Sequence, residues 1–477
     1  MKLTEWKVLT QEEIERIHAA SLDLLENCGL IVEDEAVLQL LEQNGCSVDH
    51  QTMLAKFPRS VVQKALSTCP ASFPVLDRNG REAFTMGKGS CKCGSGHNAV
   101  FTLVDESGER REATLEDVKK YSILSDVLSE VDIISIPYSP QDVNPKTSLL
   151  YAIKQILDVS EKPIFFSCES EIINEAAVEM AKETLGVKAL DGRSNLITQL
   201  STTSPLYWER GAVKALHLVA KAGMPVAFLP QPIAGVTAPY TLAGLLTVHN
   251  TEVLSGIVIA QLANPGLPVI YACAWTTYDM KQTNVLIGRP ESSLLRIAGA
   301  QMAHFYKIPC HTTAPDNDSN LHDEQGAWEK MLSTMAAMAG GNDLLVNLGM
   351  FGTGMSITCE QLVLDNEMCR IARRMMKGIE VNEDTIAVDT IKEVGHKNMY
   401  LMEDHTMMHL RTGEHVPLDI SNGANHGVWS ERGKISSVAA AKTYVEKTLA
   451  EGVKHPLDTD RSEKLAKIIR VCETKFS

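Results

Sequence analysis

The chain has 477 residues, 44% hydrophobic and 22% charged, the balance of an ordinary soluble globular protein and enough length for one large barrel or two to three domains. Its 45 basic and 60 acidic residues leave a net charge of −15, which argues against nucleic acid or an anionic membrane as partner and is compatible with a cationic ligand. Eleven scattered cysteines, an odd number, suit reduced thiols rather than a disulfide framework.

The first twenty residues, "MKLTEWKVLTQEEIERIHAA", contain no apolar signal core, and no apolar run reaches membrane-spanning length. A cytoplasmic location is expected. Residues 1–130 read as a lead-in of helices and hairpins. Ile14, Ile17, Leu22, Leu24 and Leu25 recur at helical spacing, Thr10 and Glu13 form a capping box, and Gly29 stops the helix. A second helix covers residues 34–43. "SFPVLDRNGREAFTMG" predicts a hairpin turning at Asn79 and Gly80. A strand, a turn at Ser107 and Gly108, and a helix capped by Thr114 with Asp117 follow.

From residue 131 short apolar strands alternate with longer helices. The strands are expected at 131–137, 163–169, 196–202, 225–231, 268–274, 308–314 and 343–349. Helices are expected at 147–158, 208–222, 241–263, 291–306 and 324–339. Strands this apolar need cover on both faces, which predicts a parallel sheet. Seven βα units are one short of a (β/α)8 TIM barrel. The eighth strand is expected either at the polar segment 379–381 or before residue 131. The expected division is a lead-in at 1–130, a barrel at 131–381 and a helical C-terminal extension at 382–477. A doubly wound sheet is the alternative, but no reversal of strand order is marked.

Barrel active sites lie at the C-terminal ends of the strands. Those ends supply Tyr138, Glu169, Thr202, Thr203, Gln231, Trp275, Thr276, Tyr278, His311, Thr312, Thr313, Met350 and Phe351. Tyr138, Trp275, Tyr278 and Phe351 would make an aromatic rim, suited to a quaternary ammonium by cation–π attraction; packing is the alternative for each ring. The loop "LGMFGTGMSITCEQLVLDNE" carries Gly349, Gly352 and Gly354. Its G-x-x-G-x-G spacing matches neither a dinucleotide fingerprint nor a P-loop. Cys91, Cys93 and His97 in "CKCGSGH" have zinc-like spacing but no local fourth ligand, and reduced cysteine in a turn is the commoner reading. "HTTAPDNDSNLHDE" suits either a capped helix entry or a hard-metal site. His249, Asn250 and Glu252 in "HNTEVLSG" suit internal hydrogen bonding, with a pocket role as the alternative.

"QLSTTSPLYWERGAVKAL", "PIAGVTAPYTLAGLLTVHNTEVLSGIVIAQLANPGLPVIYA", "DEQGAWEKML" and the glycine loop together resemble the trimethylamine:corrinoid methyltransferase superfamily, as does "ASLDLLENCGLIVEDE" in the lead-in. The resemblance implies a (β/α)8 barrel that passes a methyl group from an amine to Co(I) of a corrinoid (cobalamin) carried by a separate partner protein. Trimethylamine members carry pyrrolysine in the glycine-rich loop, whereas here Gly352, Thr353, Gly354 and Met355 are ordinary residues. Members lacking pyrrolysine act on glycine betaine, proline betaine or carnitine. The resemblance thus points to a quaternary amine of betaine type, whose leaving group is a neutral tertiary amine.

On this reading Trp275, Phe351, Tyr138 and Tyr278 cage the ammonium, and His311, Gln231 and Thr313 contact the carboxylate. Trp275, Phe351 and His311 do the positioning. Gly349, Gly352 and Gly354 let the corrinoid approach. No protein-bound metal is expected, and homo-oligomerisation is left open. The alternatives are a TIM-barrel enzyme for a phosphorylated substrate and a non-catalytic scaffold that binds a betaine or docks a corrinoid protein.

Overall fold

The computed structural model describes residues 6–476 except 90, 106 and 411. Eight parallel strands form one sheet. In chain order they are β1 (Lys92–Ser95), β2 (Ile134–Ser135), β3 (Ile164–Ser167), β4 (Leu196–Leu200), β5 (Val226–Phe228), β6 (Val269–Cys273), β7 (Cys310–Thr313) and β8 (Leu344–Leu348). Each is followed by its helix: α1 (Leu115–Val127), α2 (Ser148–Val159), α3 (Glu171–Leu185), α4 (Arg210–Ala222), α5 (Leu242–Ala263), α6 (Pro290–Tyr306), α7 (Glu324–Ala339) and α8 (Cys359–Lys377). β1 pairs with β8 along Leu344, Leu345 and Val346, and Gly94 bridges to Ile133 beside β2, so the sheet closes into a (β/α)8 barrel.

The eighth strand is therefore β1, upstream of residue 131. Residues 379–381 lie outside the sheet, with Ile379 and Val381 exposed. The barrel thus begins near residue 92 rather than at 131. β1 escapes an apolar-run search because its inward residue is Gly94. A side chain there would collide with Val346 and Ile133, which already fill that part of the interior.

The interior has a definite bottom. The hairpin Phe73–Leu76 and Glu82–Met86 puts Phe73, Val75, Phe84 and Met86 into one apolar cluster with Ile133, Phe165, Ile197, Ile270, Leu344 and Val346. This plug shuts the end at which the strands begin, and leaves the opposite end for a ligand. The second core lies outside the strands, under the helices. Contrary to the expectation that no apolar run reaches membrane-spanning length, α5 is long and apolar enough to cross a membrane, but 72% of its most apolar window is buried inside the fold. Its position between α4 and α6 accounts for that hydrophobicity.

The lead-in helix Gln11–Asp23 has the capping box of Thr10 and Glu13, and after one wider turn it ends at Gly29 with φ 76°. Helices Ser437–Glu451 and Thr459–Thr474 pack back on the barrel, the first on α8 and α1, the second on α3 and α2. Between α8 and these helices runs an arm, residues 379–436, in which only Val394 and Ile420 are buried among the described residues.

Candidate functional site

Strand parity decides which side chains face the barrel interior, because successive residues point to opposite faces. His311 on β7 is in register with Ala272 of β6 and Leu344 of β8, and both of those line the interior. Its ring stands edge-on to Phe165 on β3, centroids 5.1 Å apart. His97, just past β1, packs on the same phenyl ring at 5.8 Å. Two imidazoles thus flank Phe165 above the apolar plug. Among the described residues, all four of their ring nitrogens are buried without a hydrogen-bond partner of ordinary geometry, and Gln199 Oε1 at the inward end of β4 shares that condition. Buried polar atoms are ordinarily paired, so several orphans on the inward face of the barrel mark a candidate place for a guest.

Burial keeps these rings neutral. It pulls His97 down to about 4 and His311 down to about 3; for His311 a backbone contact at Thr312 partly opposes the shift, and the neighbouring His97 is a smaller cause in the same direction as burial. Both folded values lie below the unfolded value near 6.5, so the unfolded chain binds protons first on acidification. The associated stability is complete above about pH 6.5 and is lost as the pH falls towards 4. At pH 5 each ring should cost about 2 kcal/mol relative to neutral pH. Urea midpoints are therefore expected to fall between pH 6.5 and 4.5, and the double variant H97N/H311Q is expected to flatten that slope.

The proposed aromatic rim is not assembled as the sequence suggested. Ala272 and Ala274 point inward, so Trp275 points outward, into the layer between barrel and helices. It is fully buried there, 4.4 Å from the ring of His249 on α5 and close to Gly299 on α6. Trp275 is a packing residue of the outer core and does not line the mouth. Tyr138 is also buried; its hydroxyl donates to the Ile357 carbonyl (3.1 Å) and its ring meets Tyr121 edge-on. It borders a side cavity of about 540 Å³ shared with Thr102, His322 and Cys359.

Phe351 packs at 5.2 Å on His322 in the loop after β8. Tyr278 sits half-buried in the hairpin Thr277–Asp279 and Asn284–Leu286 after β6, on a rim cavity of about 870 Å³ with Tyr240 and Met280. Gln231 is exposed at the rim and donates from Nε2 to Thr276 Oγ1 (2.9 Å). Thr313 is in register with inward Val346, and its carbonyl accepts from Arg296 Nε (2.6 Å). Of the sequence candidates, His311 and Thr313 face the barrel interior, while Phe351, Tyr278 and Gln231 belong to the loops around its mouth.

The glycine loop is held from below. Asp365 on α8 accepts from the Gly349 N–H (2.6 Å), from Lys330 Nζ on α7 (2.8 Å) and from Gln361 Nε2 (2.8 Å). Both members of the Lys330–Asp365 ion pair are buried. Burial pushes the Asp365 carboxyl up, and Lys330 opposes it. Gly349 has φ 91°, and a Cβ there would overlap the Tyr121 hydroxyl, which donates to the Leu348 carbonyl. The smallness of Gly349 serves internal packing rather than a ligand. Gly352 and Gly354 also have positive φ and shape the turn whose tip exposes Met355.

The remaining polar motifs are mostly absorbed by the fold. Asp316 pairs with buried Arg296 (2.5 Å) and accepts from Asn347 Nδ2 (2.7 Å). Asp318 accepts from the N–H groups of Ile287 and Gly288, and Asp323 caps α7. Glu252 accepts from Thr202, Ser204 and the Leu206 N–H, while His249 and Asn250 bond across to Ala272 and Tyr306. Cys93 lies outside the barrel against Arg373 (3.3 Å), whereas His97 points inside, so the zinc-like spacing of Cys91, Cys93 and His97 does not converge.

These features define a (β/α)8 barrel with a plugged bottom and buried, unpaired polar groups on its inward face below the mouth. The sequence pattern of the family "Trimethylamine methyltransferase (MTTB)" matches residues 1–475, and the chain belongs to that family. It is 31% identical over 407 residues to trimethylamine methyltransferase MttB of Desulfitobacterium hafniense (strain DSM 10664 / DCB-2), covering 84% of this chain and 82% of the relative. It is 29% identical over 470 residues to a glycine betaine methyltransferase of Desulfitobacterium hafniense (strain Y51), covering 98% and 97%. Among solved structures it is similar to the monomethylamine methyltransferase MtmB of Methanosarcina barkeri. That match has TM-score 0.51 and 12% identity, covers 95% and 97% of the two chains, and bears on the fold alone.

Proposed function

We propose that this chain transfers a methyl group from a quaternary amine of betaine type to Co(I) of a corrinoid carried by a separate small protein. Membership in a methyltransferase family supports the reaction class, and the names of its relatives supply methylated amines as the substrate class. The glycine loop favours a quaternary donor, because it holds only ordinary residues at Gly352, Thr353, Gly354 and Met355. A glycine betaine methyltransferase matches nearly the whole chain, as trimethylamine methyltransferases also do, so a betaine is among the substrates of its relatives.

The observation that carries the site is the pair of neutral, unpartnered imidazoles above Phe165. A neutral imidazole has one N–H to donate, so His97 and His311 together offer two donors to a carboxylate entering the barrel. A betaine bound in that way keeps its ammonium towards the mouth, near the loops that carry Phe351 and Tyr278. When docked, the partner's corrinoid would supply the nucleophile for the outward methyl carbon, and the amine would depart neutral. The chain's own task is to orient the cation and exclude water.

The mouth also suits a flat macrocycle on a partner protein. Val104, Val236, Tyr240, Met280, Leu321 and Met355 are exposed apolar side chains on the loops after β1, β5, β6, β7 and β8. Gly352 and Gly354 shape the tip that carries Met355. The test is a demethylation screen of quaternary and tertiary amines with a reduced corrinoid protein, read from the change in the corrinoid spectrum.

A further inference from the structure

The arm, residues 379–436, lacks the means to hold its shape by apolar burial. Only Val394 and Ile420 are buried there among the described residues, while Ile386, Ile391, Met399, Leu401, Met402 and Met408 stay exposed. Segments with so small a core ordinarily depend on a disulfide, a metal or association. The arm contains no cysteine. It does contain His396, His405, His409, His415 and His426, five of the chain's 14 histidines.

Two of these histidines are arranged as ligands. His405 and His409 occupy positions i and i+4 of the short helix Asp404–His409, so their rings share one face, with centroids 4.2 Å apart. The helix Glu383–Ile386 brings up Asp384. Ligand atoms of Asp384, His405 and His409 all lie within 4.8 Å of one another. His409 Nε2 is 3.2 Å from Asp384 Oδ2, yet it is buried and makes no hydrogen bond among the described residues. His405 Nε2 lies 3.0 Å from the Asp384 carbonyl oxygen, which holds that ring against the turn carrying the carboxylate.

We propose that Asp384, His405 and His409 form a structural site for a divalent transition metal of the zinc class, which staples the two short helices of the arm. Two imidazoles and one carboxylate are borderline ligands, suited to Zn2+ rather than to Ca2+ or Mg2+, which prefer all-oxygen sets. Three protein ligands leave the fourth tetrahedral position to water. The sequence carries no complete metal-ligand motif, and this staple departs from the expectation of no protein-bound metal. It takes no part in methyl transfer, and it stands or falls independently of the proposed reaction.

The test uses the full chain, stripped with chelator and titrated with Zn2+ alone by calorimetry. Hydrogen exchange of the arm is followed with and without the metal. One equivalent of Zn2+ is expected to bind, and residues 383–409 are expected to gain protection. In H405Q and H409Q affinity should fall at least tenfold and the protection should vanish, while H415Q and H426Q behave as wild type. The melting temperature of the barrel reports whether each variant is folded. Absence of saturable binding, or equal binding by the double variant H405Q/H409Q, would overturn the proposal. Metal-independent protection of the same amides that rises with protein concentration would also overturn it, since a second copy would then be what covers the arm.

Discussion

Asp365→Ala is expected to destabilise the protein by about 3–5 kcal/mol, the usual cost of stripping one partner from a buried ion pair. Lys330 Nζ would be left charged and fully buried, with only the Pro315 carbonyl at 3.2 Å. The Gly349 N–H would lose its acceptor as well, so the glycine loop would come loose at its first residue. Asp365→Asn should be milder, because an amide oxygen can still accept from Gly349. The double variant K330M/D365L should recover much of the loss, since replacing both charges with apolar groups removes the desolvation penalty. Urea unfolding of the three variants checks the order. Equal stability of Asp365→Ala and wild type would show that the loop does not depend on this anchor.

His311→Leu should move stability and activity in opposite directions. Its two ring nitrogens are buried and unpaired, and relieving such a group with an apolar side chain of similar size is expected to stabilise by about 1–3 kcal/mol. If the imidazole donates to the substrate, its loss should raise the barrier by about 1.5–3 kcal/mol, which is roughly 10- to 150-fold in kcat/KM. Destabilisation with intact turnover would identify His311 as a packing residue instead. The same comparison for Trp275 should give the reverse result. Its ring fills the space between β6 and α5, so Trp275→Leu is expected to lower the melting temperature with little specific effect on the donor.

The alternation of strands and helices was legible from residue 131 onward because parallel strands covered on both faces leave continuous apolar runs. β1 was not legible for the opposite reason. It is short and contributes Gly94 where its neighbours contribute Val346 and Ile133. Missing it hid the placement of His97, which was visible only as a supposed zinc ligand. The rule that active sites sit at strand ends led to His311, but it did not separate inward from outward residues. In "PVIYACAW" the two alanines mark the inward face, and the tryptophan after them must turn out. Phe165 went unnoticed because a phenylalanine inside an apolar strand carries no signal of its own. The arm read as helices, and four short helices are present among its described residues, Glu383–Ile386, Val388–Val394, Asp404–His409 and His426–Glu431. Nothing in their periodicity showed that they would pack on so little.

The central claim is that the methyl donor is a quaternary amine. The most direct measurement supplies the chain with a reduced corrinoid protein and compares glycine betaine, proline betaine and carnitine with trimethylamine, following methylation of Co(I) by absorbance. At least one of the three betaines is expected to methylate the corrinoid with saturation, while trimethylamine stays at the background rate. Turnover of trimethylamine at a rate comparable to that of the best betaine would contradict the account.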